Sequence, residues 1–491
     1  MTHAARLTIA VLFVLVVGTA NSAGYRFGVS DQAFYVPAVS LRADPSLFPR
    51  DRAVFEPQMR FWVGDEILGT FVRVTGIGLP ALFAALYVVT MATLAIAVIA
   101  LARRLGCDWW TIAIALVLLT LRHRIAKTGA NSLEGYMHPR MLAFACGIVA
   151  LASIGRLRFA TAAVWTLVAA LVHTSTAIWF GGVVAVAAAW PHRRDLRVRI
   201  AALSLVVIAV VFVAVSVRLL PRMDPAWLAV LGDRDYLFSA AWPASAWAVN
   251  LAYPIVLLAI YRRRVATGAT VAGEAGLVAG LLALVVAFLV TVPLAELRVA
   301  FFVQLQANRI FWLLDAAVAI YVAWWIVATL MVRWPVGRRA MVIGALAVLA
   351  VARGAYVLHE THRPIAQVEA SADEDWLRVM QWLRDRPSSW HVLADPGHAW
   401  KYGISVRAAA LRDTPLELGK DPAMAMYDRA LALRVAERTV ALGDFDAWSD
   451  VGPIRQADRR YDIDVFVDRT DRAFPLPVLY RNASFVVYDL R

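Results

Sequence analysis

The sequence predicts a polytopic membrane protein, an all-α bundle of about eleven transmembrane helices followed by a small C-terminal extracytoplasmic α/β domain. Of its 491 residues 61% are hydrophobic, and the mean hydropathy is +0.63, which is typical of integral membrane proteins. From Glu360 onward, by contrast, 18 Lys and Arg stand against 21 Asp and Glu, the composition of an ordinary soluble domain. We therefore expect a transmembrane domain at residues 1–358 and an α/β domain at residues 359–491.

The basic excess belongs to the predicted transmembrane domain. The formal charge of the whole chain is +13, of which residues 1–359 carry +16 and the remaining residues −3. Positive charge between apolar segments is explained by loop anchoring and by anionic lipid, so no nucleic-acid partner is expected. Only Cys107 and Cys146 are present, which excludes a disulfide framework and gives little support for a metal site. The use of 46 Arg against 3 Lys suggests a GC-rich bacterial genome, and we place the protein in the bacterial inner (plasma) membrane.

The first apolar segment has two interpretations. Residues 1–24 are compatible with a signal peptide, with Arg6, an apolar stretch and the small residues Gly18-Thr19-Ala20 before a cleavage point. They are equally compatible with an uncleaved first span, which we favour. Both interpretations place residue 25 outside the cytoplasm.

The number and orientation of the spans follow from hydropathy and from basic clusters. A span needs about 20 apolar residues, or fewer in a packed bundle, and the candidates are 7–21, 78–101, 109–121, 140–155, 159–172, 176–190, 200–219, 246–261, 272–293, 310–332 and 340–358. Five basic clusters fall on alternate sides of these spans, which predicts cytoplasmic loops: Arg103-Arg104, Arg156 with Arg158, His192-Arg193-Arg194, Arg262-Arg263-Arg264, and Arg333 with Arg338-Arg339. The N-terminus is then cytoplasmic and the C-terminal domain extracytoplasmic.

Residues 159–190 predict a helical hairpin rather than one long helix. They carry no formal charge and have arginines at both flanks, so a tight hairpin keeps both flanks on the cytoplasmic side. The turn would be His173-Thr174-Ser175-Thr176. His173 is then either a helix-turn residue satisfied by backbone or part of a site at the outer surface.

The outer loop at residues 22–77 holds the main functional candidate. Asp31 follows the first span directly, and a carboxylate beside hydrocarbon is costly to keep charged, so such residues are functional candidates. For Asp44, Asp51 and Glu56 in the same loop we expect a solvated turn region. Residues 61–76 have apolar residues at roughly helical spacing, which predicts an amphipathic helix in the membrane interface.

Positive charge also occurs in loops that the prediction places outside. A phosphate-bearing lipid at the outer leaflet would explain it, because guanidinium groups match phosphate oxygens. The alternatives are snorkelling side chains at helix ends and internal ion pairs such as Arg298 with Glu296. For the set as a whole we expect at least one arginine to contact an anion.

The C-terminal domain is predicted from alternating elements, which favour a small α/β fold. Helices are expected at 373–386 and 421–442, and strands at 390–394, 403–410, 463–467 and 484–488. The domain has no glycine-rich phosphate loop and no metal-ligand spacing. Asp395-Pro396-Gly397-His398 is most simply a turn after a strand.

This outline, with Ser30-Asp31-Gln32-Ala33 in the first outer loop, resembles the GT-C superfamily of multi-spanning glycosyltransferases that use polyprenyl-phosphate sugars, or a related bacterial membrane family with a similar Asp-Gln loop. The resemblance implies that Asp31 is the general base for hexosyl or pentosyl transfer. Members of the superfamily often carry an acidic pair at this position, whereas Gln32 follows Asp31 here. A divalent cation is therefore possible but is not supported by the loop sequence, and no metal ligand is assigned.

The resemblance also suggests partners and further site residues. The partners would be a polyprenyl-phosphate-linked sugar, membrane lipid, and a cell-envelope glycan, lipid or protein as acceptor. Arg309 is the first candidate for the donor phosphate and Arg140 the second. The remaining candidates for binding the substrate or the lipid phosphate are Gln32, His138, His173, Arg298, Gln304 and Gln306.

Two other classes of function remain open. A lipid or solute transporter or flippase would place ionisable groups near the bilayer midplane and often shows repeats, whereas the polar residues here cluster at the outer ends of spans and no repeat is evident. A non-catalytic cell-envelope membrane protein is opposed only by the position of Asp31 and by the outer arginines.

Overall fold

A computed structural model describes residues 2–60, 62–232, 234–368 and 374–491. The chain forms two compact units. The bundle unit comprises Met1–Tyr25, Leu86–Arg222 and Arg234–Ala366, and the sheet unit comprises Arg26–Ala85, Met223–Asp233 and Gln367–Arg491. Residues 26–85 thus group with the C-terminal region, whereas the outer loop was predicted to belong to the transmembrane domain.

The α-helices are numbered along the chain. The first half contains α1 (His3–Asn21), α2 (Gln32–Ala43), α3 (Arg52–Met59), α4 (Gly64–Thr75), α5 (Leu79–Arg104), α6 (Trp109–Thr120), α7 (Pro139–Ile154), α8 (Phe159–Val172), α9 (Thr174–Ala189), α10 (Leu196–Leu219) and α11 (Pro225–Leu231). The second half contains α12 (Ala244–Ala266), α13 (Glu274–Glu296), α14 (Ala300–Leu305), α15 (Ile310–Trp325), α16 (Val336–Glu360), α17 (Asp375–Arg384), α18 (His398–Lys401), α19 (Val406–Ala409), α20 (Asp421–Met424), α21 (Arg429–Leu442) and α22 (Val451–Tyr461).

Every predicted span coincides with a helix. Three of these helices, α6, α7 and α8, are apolar but shorter than 18 residues. Within the described residues, seven helices are long and apolar enough to cross a membrane: His3–Asn21, Leu79–Arg104, Thr174–His192, Ala244–Ala266, Glu274–Glu296, Ala300–Leu330 and Val336–Glu360. The protein is therefore mostly helical with seven candidate membrane spans among the described residues, and the count of eleven spans stays a prediction.

The predicted hairpin is present, with a shorter turn than expected. Helix α8 ends at Val172 and α9 begins at Thr174, so His173 alone has an extended conformation. Ala169 of α8 and Ala177 of α9 belong to one apolar cluster with Ala143 of α7. Small side chains let these helices pack closely.

A buried ion pair joins α12 and α13. The Nε of Arg264 lies 2.6 Å from Oε1 of Glu274, and both side chains are almost fully buried. Tyr321 of α15 donates a hydrogen bond to the same carboxylate at 3.0 Å. Because a buried charge is costly without a partner, this pair accounts for the glutamate at the start of an apolar helix.

The strands are β1 (Tyr25–Arg26), β2 (Arg124–Ile125), β3 (Ala130–Asn131), β4 (Ala366–Gln367), β5 (Val392–Leu393), β6 (Val465–Arg469), β7 (Val478–Arg481) and β8 (Phe485–Asp489). The sheet of the C-terminal region has the order β5-β6-β8-β7, in which β5 and β6 are parallel and the other pairs antiparallel. Its core includes Trp376 and Met380 of α17 with Val465 and Val487 of the sheet. The small α/β region predicted from the sequence is therefore present.

Two of the secondary-structure predictions for this region are wrong in detail. Residues 403–410 do not form a strand, because Ser405 caps a single helical turn, α19, by accepting a hydrogen bond from the N–H of Ala408. The helix predicted at 421–442 is interrupted between α20 and α21, and Asp428 caps the second part. Helix α17 falls within the range predicted for the first helix, of which Asp373 lies outside the described residues.

The predicted amphipathic helix is α4, apart from Phe61, which lies outside the described residues. Its buried face packs on α2, where a Cβ at Gly69 would stand 2.4 Å from Cβ of Arg42. The opposite face is apolar and exposed, with 44% of Val63, 60% of Ile67, 44% of Phe71 and 77% of Val74 accessible.

Candidate active site

Asp31 is presented by a rigid turn of the sheet unit. The amide oxygen of Gln32 accepts a hydrogen bond from the N–H of Gly28 at 2.6 Å, and Gln32 is fully buried. Gly28 has a φ of +77°, and a Cβ there would stand 2.4 Å from Ile404, so glycine is required. Asp31 directly precedes α2 but makes no capping hydrogen bond to its first turn. Gln32 thus orients the turn that carries the carboxylate.

The carboxylate of Asp31 forms an ion pair with the ammonium of Lys420. The two side chains keep 24% and 21% of their surface accessible, so the pair lies at the edge of the unit rather than in its core. Lys420 directly precedes α20, and its N–H donates to the carbonyl of Glu417 at 3.1 Å. Lys420 was not among the predicted site residues, because nothing in its local sequence indicates a partner 389 positions away.

A buried charge network fixes the segment that carries Lys420. The guanidinium of Arg407 lies 2.8 Å from Asp51, 3.7 Å from Glu417 and within hydrogen-bonding distance of Asp421. Arg407 and Asp51 are 1% and 0% exposed, so the expectation of a solvated Asp51 is wrong. The network joins the start of α3 to the segment 417–421.

The electrostatics of this network favour full ionisation of its central pair. Burial alone would lower the pKa of Arg407, but the carboxylates of Asp421, Asp51 and Glu417 raise it well above its usual value. Burial would raise the pKa of Asp51, and Arg407 and Arg434 lower it below the usual range. Because Arg407 and Asp51 compensate one another's charge, the network can hold a charged loop inside the unit.

The segment Asp395-Pro396-Gly397-His398 forms the predicted turn. The N–H of His398 donates to the carbonyl of Asp395 at 2.9 Å. The imidazole of His398 is fully buried and lies 3.1 Å from Glu417, which also accepts from Ser405 at 2.8 Å. This burial indicates a structural role.

In the bundle unit, Glu134 forms an ion pair with Arg140, which is one of the predicted site residues. The two side chains are 3.1 Å apart and both are 5% exposed. Asn131 donates to both carboxylate oxygens at 3.1 Å, and Arg122 lies 4.0 Å away. Arg140 is therefore held in a fixed, buried position at the start of α7.

The two predicted histidines lie close to one another beside this arginine. His138 caps α7, its Nδ1 accepting from the N–H of Arg140 at 3.0 Å. His173 caps α9, with its Nδ1 2.9 Å from Oγ1 of Thr176. The ring centroids of His138 and His173 are 6.2 Å apart. His173 is thus a helix-turn residue that packs against His138.

The segment 298–309 carries the other predicted polar residues. Arg298 lies 3.6 Å from Glu296 and 4.2 Å from the centroid of the Phe238 ring, which confirms the internal pair. Gln304 is the penultimate residue of α14, Gln306 has a left-handed φ of +48° and is 5% exposed, and Arg309 precedes α15.

Trp312, in the first turn of α15, contacts Arg140 and so connects it to this segment. The guanidinium of Arg140 lies 5.8 Å from the Trp312 ring centroid, a cation–π distance. The bundle unit therefore brings Arg140, His138 and His173 together beside the helix that follows Arg309. Asp31 and Gln32 belong to the sheet unit, and the other seven predicted site residues belong to the bundle unit.

Within residues 2–60, 62–232, 234–368 and 374–491, no three His, Cys, Asp or Glu side chains are grouped in a way that could hold a metal ion.

No protein-family model and no curated protein sequence matches the chain. Two solved structures are similar over 95% of this chain and 69% of their own. One is the crystal structure of the Archaeoglobus fulgidus oligosaccharyltransferase tethered with an acceptor peptide, at 11% identity and a TM-score of 0.46. The other is the archaeal oligosaccharyltransferase AglB from Archaeoglobus fulgidus in complex with an inhibitory peptide and a dolichol-phosphate, at 12% identity and a TM-score of 0.40.

Proposed function

We propose that the protein is a membrane glycosyltransferase that moves a hexosyl or pentosyl group from a polyprenyl-phosphate donor to an extracytoplasmic acceptor. The observation that carries the proposal is the Asp31 carboxylate, held by a buried turn a few residues after the first apolar helix and paired with Lys420 at a partly exposed position. A carboxylate with this support is preorganised for proton transfer. The proposed location is the outer face of the bacterial inner membrane.

In the proposed reaction Asp31 accepts the proton of an acceptor hydroxyl. The hydroxyl oxygen forms a bond to the anomeric carbon, while the bond between that carbon and the phosphate oxygen breaks and its electron pair leaves with the phosphate. General-base help of this kind contributes about 10²–10⁴ in rate. Lys420 is a positioning residue, because its ammonium fixes the direction of the carboxylate.

The leaving phosphate needs positive charge, which arginines supply. Arg309 remains our first candidate and Arg140 the second, because Arg140 already forms a buried ion pair with Glu134. His138, His173, Gln304 and Gln306 are proposed to contact the sugar or phosphate. Arg298 is the weakest candidate, because Glu296 and Phe238 already engage its guanidinium.

The test uses the full-length protein reconstituted in nanodiscs with a panel of radiolabelled polyprenyl-phosphate hexoses and pentoses and a cell-envelope extract as acceptor. We expect Asp31→Asn to abolish transfer while insertion and thermal stability are kept. The matched control is Asp44→Asn, which removes an exposed acid from the same loop. Transfer by Asp31→Asn at the wild-type rate would exclude Asp31 from the chemistry. Movement of an intact donor between leaflets without consumption would favour a flippase instead.

A further inference from the structure

The bundle unit contains a cavity of about 450 Å³ bordered by α5, α6, α15 and α16. Most of its wall is aliphatic, and small side chains at Ala115, Ala316 and Ala319 leave the space open. None of the nine predicted site residues lines it. A cavity of this size with apolar walls and a few convergent polar groups is a ligand-binding candidate.

One end of the cavity is polar and comes from three separate segments. It is formed by Arg122 and His123 after α6, Asp315 of α15 and Arg353 of α16. His123 and Asp315 lie 3.0 Å apart, and their charges compensate when the imidazole is protonated. The two arginines are the groups at this end that stay positively charged whatever the state of His123.

Both arginines are held mainly by neutral oxygen atoms. Arg353 donates to the side-chain oxygen of Asn21 and, at 3.1 Å, to the carbonyl of Arg122. The Nε of Arg122 donates to the carbonyl of Leu133 at 3.1 Å, and the nearest carboxylate it pairs with, Glu134, is 4.0 Å away. Within the described part of the chain Arg353 forms no ion pair with an acid. The two guanidinium groups are therefore oriented, Arg122 with one carboxylate at 4.0 Å and Arg353 by neutral oxygen atoms.

An aliphatic slot with two oriented guanidinium groups at one end matches an amphiphile with an anionic head. We propose that this cavity binds one acyl chain of an anionic phospholipid, whose phosphate is held by Arg122 and Arg353. Guanidinium groups bind phosphate oxygens with matched geometry, and burying the acyl chain against the aliphatic wall lowers the free energy of the bound state. Inorganic phosphate would make only the guanidinium–phosphate contacts, and an uncharged lipid would only bury its acyl chain.

The test measures lipid binding and is independent of glycosyl transfer. Full-length protein in detergent is titrated with phosphatidylglycerol, diacylglycerol and inorganic phosphate, and bound ligand is counted by native mass spectrometry. We expect phosphatidylglycerol to bind at least tenfold more tightly than diacylglycerol. The double variant Arg122→Gln with Arg353→Gln should remove most of this preference. Arg338→Gln, which changes an exposed arginine stacked on Trp334, is the charge control.

A second pair of variants tests the aliphatic slot. Ala319→Leu fills part of the cavity and should weaken phosphatidylglycerol binding severalfold, while Ala345→Leu, at an exposed position of α16, should leave it unchanged. Equal binding of phosphatidylglycerol and diacylglycerol, or unchanged binding by the double arginine variant, would overturn the proposal. Inorganic phosphate binding as tightly as phosphatidylglycerol would also overturn it. Displacement of phosphatidylglycerol by equimolar polyprenyl phosphate would overturn the assignment to a phospholipid.

Discussion

The ammonium of Lys420 donates a hydrogen bond to the carboxylate of Asp31 across 389 positions of the chain. The acid lies in the turn before α2, and the lysine lies just before α20 in the C-terminal region. The turn that carries Asp31 is fixed by Gln32. The segment that carries Lys420 is fixed by the charge network around Arg407. The C-terminal region thus contributes directly to the environment of the proposed base.

The ion pair predicts a separable effect on activity and stability. Lys420→Met should lower kcat about tenfold, equivalent to about 1.4 kcal/mol in the transition state, because the carboxylate loses its orientation. Stability should change by only about 0–1 kcal/mol, as for other partly exposed pairs. Lys420→Arg should restore most of the rate, which is measured as initial transfer velocity.

The charge-reversed pair is the decisive control for this prediction. Asp31→Lys combined with Lys420→Asp can re-form the ion pair but leaves no carboxylate at position 31. We expect wild-type stability without transfer. A swapped protein that transfers sugar would contradict the role of Asp31.

The Arg407 network predicts a large stability loss when one charge is removed. Asp51→Asn leaves Arg407 buried with one carboxylate fewer, and breaking a buried pair typically costs about 3–5 kcal/mol. Asp462→Asn is the control, because Asp462 is 88% exposed in its pair with Arg50 and such pairs contribute about 0–1 kcal/mol. The measurement is thermal unfolding of both variants in detergent, and equal midpoints would contradict the assignment.

The helices were predictable because hydropathy and positive charge act locally. Each apolar run from α1 to α16 contains its own signal, and the hairpin at His173 followed from the arginines at its two flanks. Residues 403–410 were misassigned because Ile404 and Val406 favour a strand, whereas the cap of Ser405 and the burial of Arg407 stabilise a helical turn. The competing interactions are tertiary and leave no local pattern.

The candidate site was predictable only in part, for a similar reason. Asp31 stood out because it follows an apolar segment directly. Lys420 and the partners of Asp51 did not, because any of many charged residues in the C-terminal region could have paired with them. Ion-pair partners far apart in the chain are set by the fold, so sequence spacing does not identify them.

Two buried groups of the sheet unit predict the response to acid. Burial lowers the pKa of His391 from 6.5 to about 4, and its Nδ1 hydrogen bonds to the carbonyl of Tyr461 at 2.9 Å. Between these pH values the unfolded chain binds a proton that the folded chain does not, so His391 destabilises the fold as pH falls, by about 2 kcal/mol at pH 5. Burial and the neighbouring Asp51 raise the pKa of Asp413 to about 6. The folded state therefore binds that proton first and gains stability below pH 6.

Because the two effects oppose one another, the wild-type protein should change little in stability between pH 7.5 and 5. His391→Gln removes only the destabilising effect, so this variant should become more stable as pH falls. His192→Gln, at an exposed position, should follow the wild type. Thermal midpoints across this pH range test the prediction, and parallel curves for wild type and His391→Gln would contradict it.

The exposed apolar face of α4 predicts contact with lipid. Val74 of α4 is 77% exposed and Val440 of α21 is 82% exposed, so the two valines differ little in accessibility within the same unit. Val74 lies on a helix with Ile67 and Phe71 exposed at helical spacing and with Val63 exposed just before its start, which suits a segment in the membrane interface. The measurement compares how strongly oxygen, which concentrates in the membrane, and a water-soluble nickel complex speed up the relaxation of a spin label in nanodiscs. A label at Val74→Cys should be relaxed mainly by oxygen, and one at Val440→Cys mainly by the nickel complex. The native thiols of Cys107 and Cys146 are buried, and an unsubstituted sample corrects for their labelling. Equal relaxation of both labels by the nickel complex would show that α4 faces water.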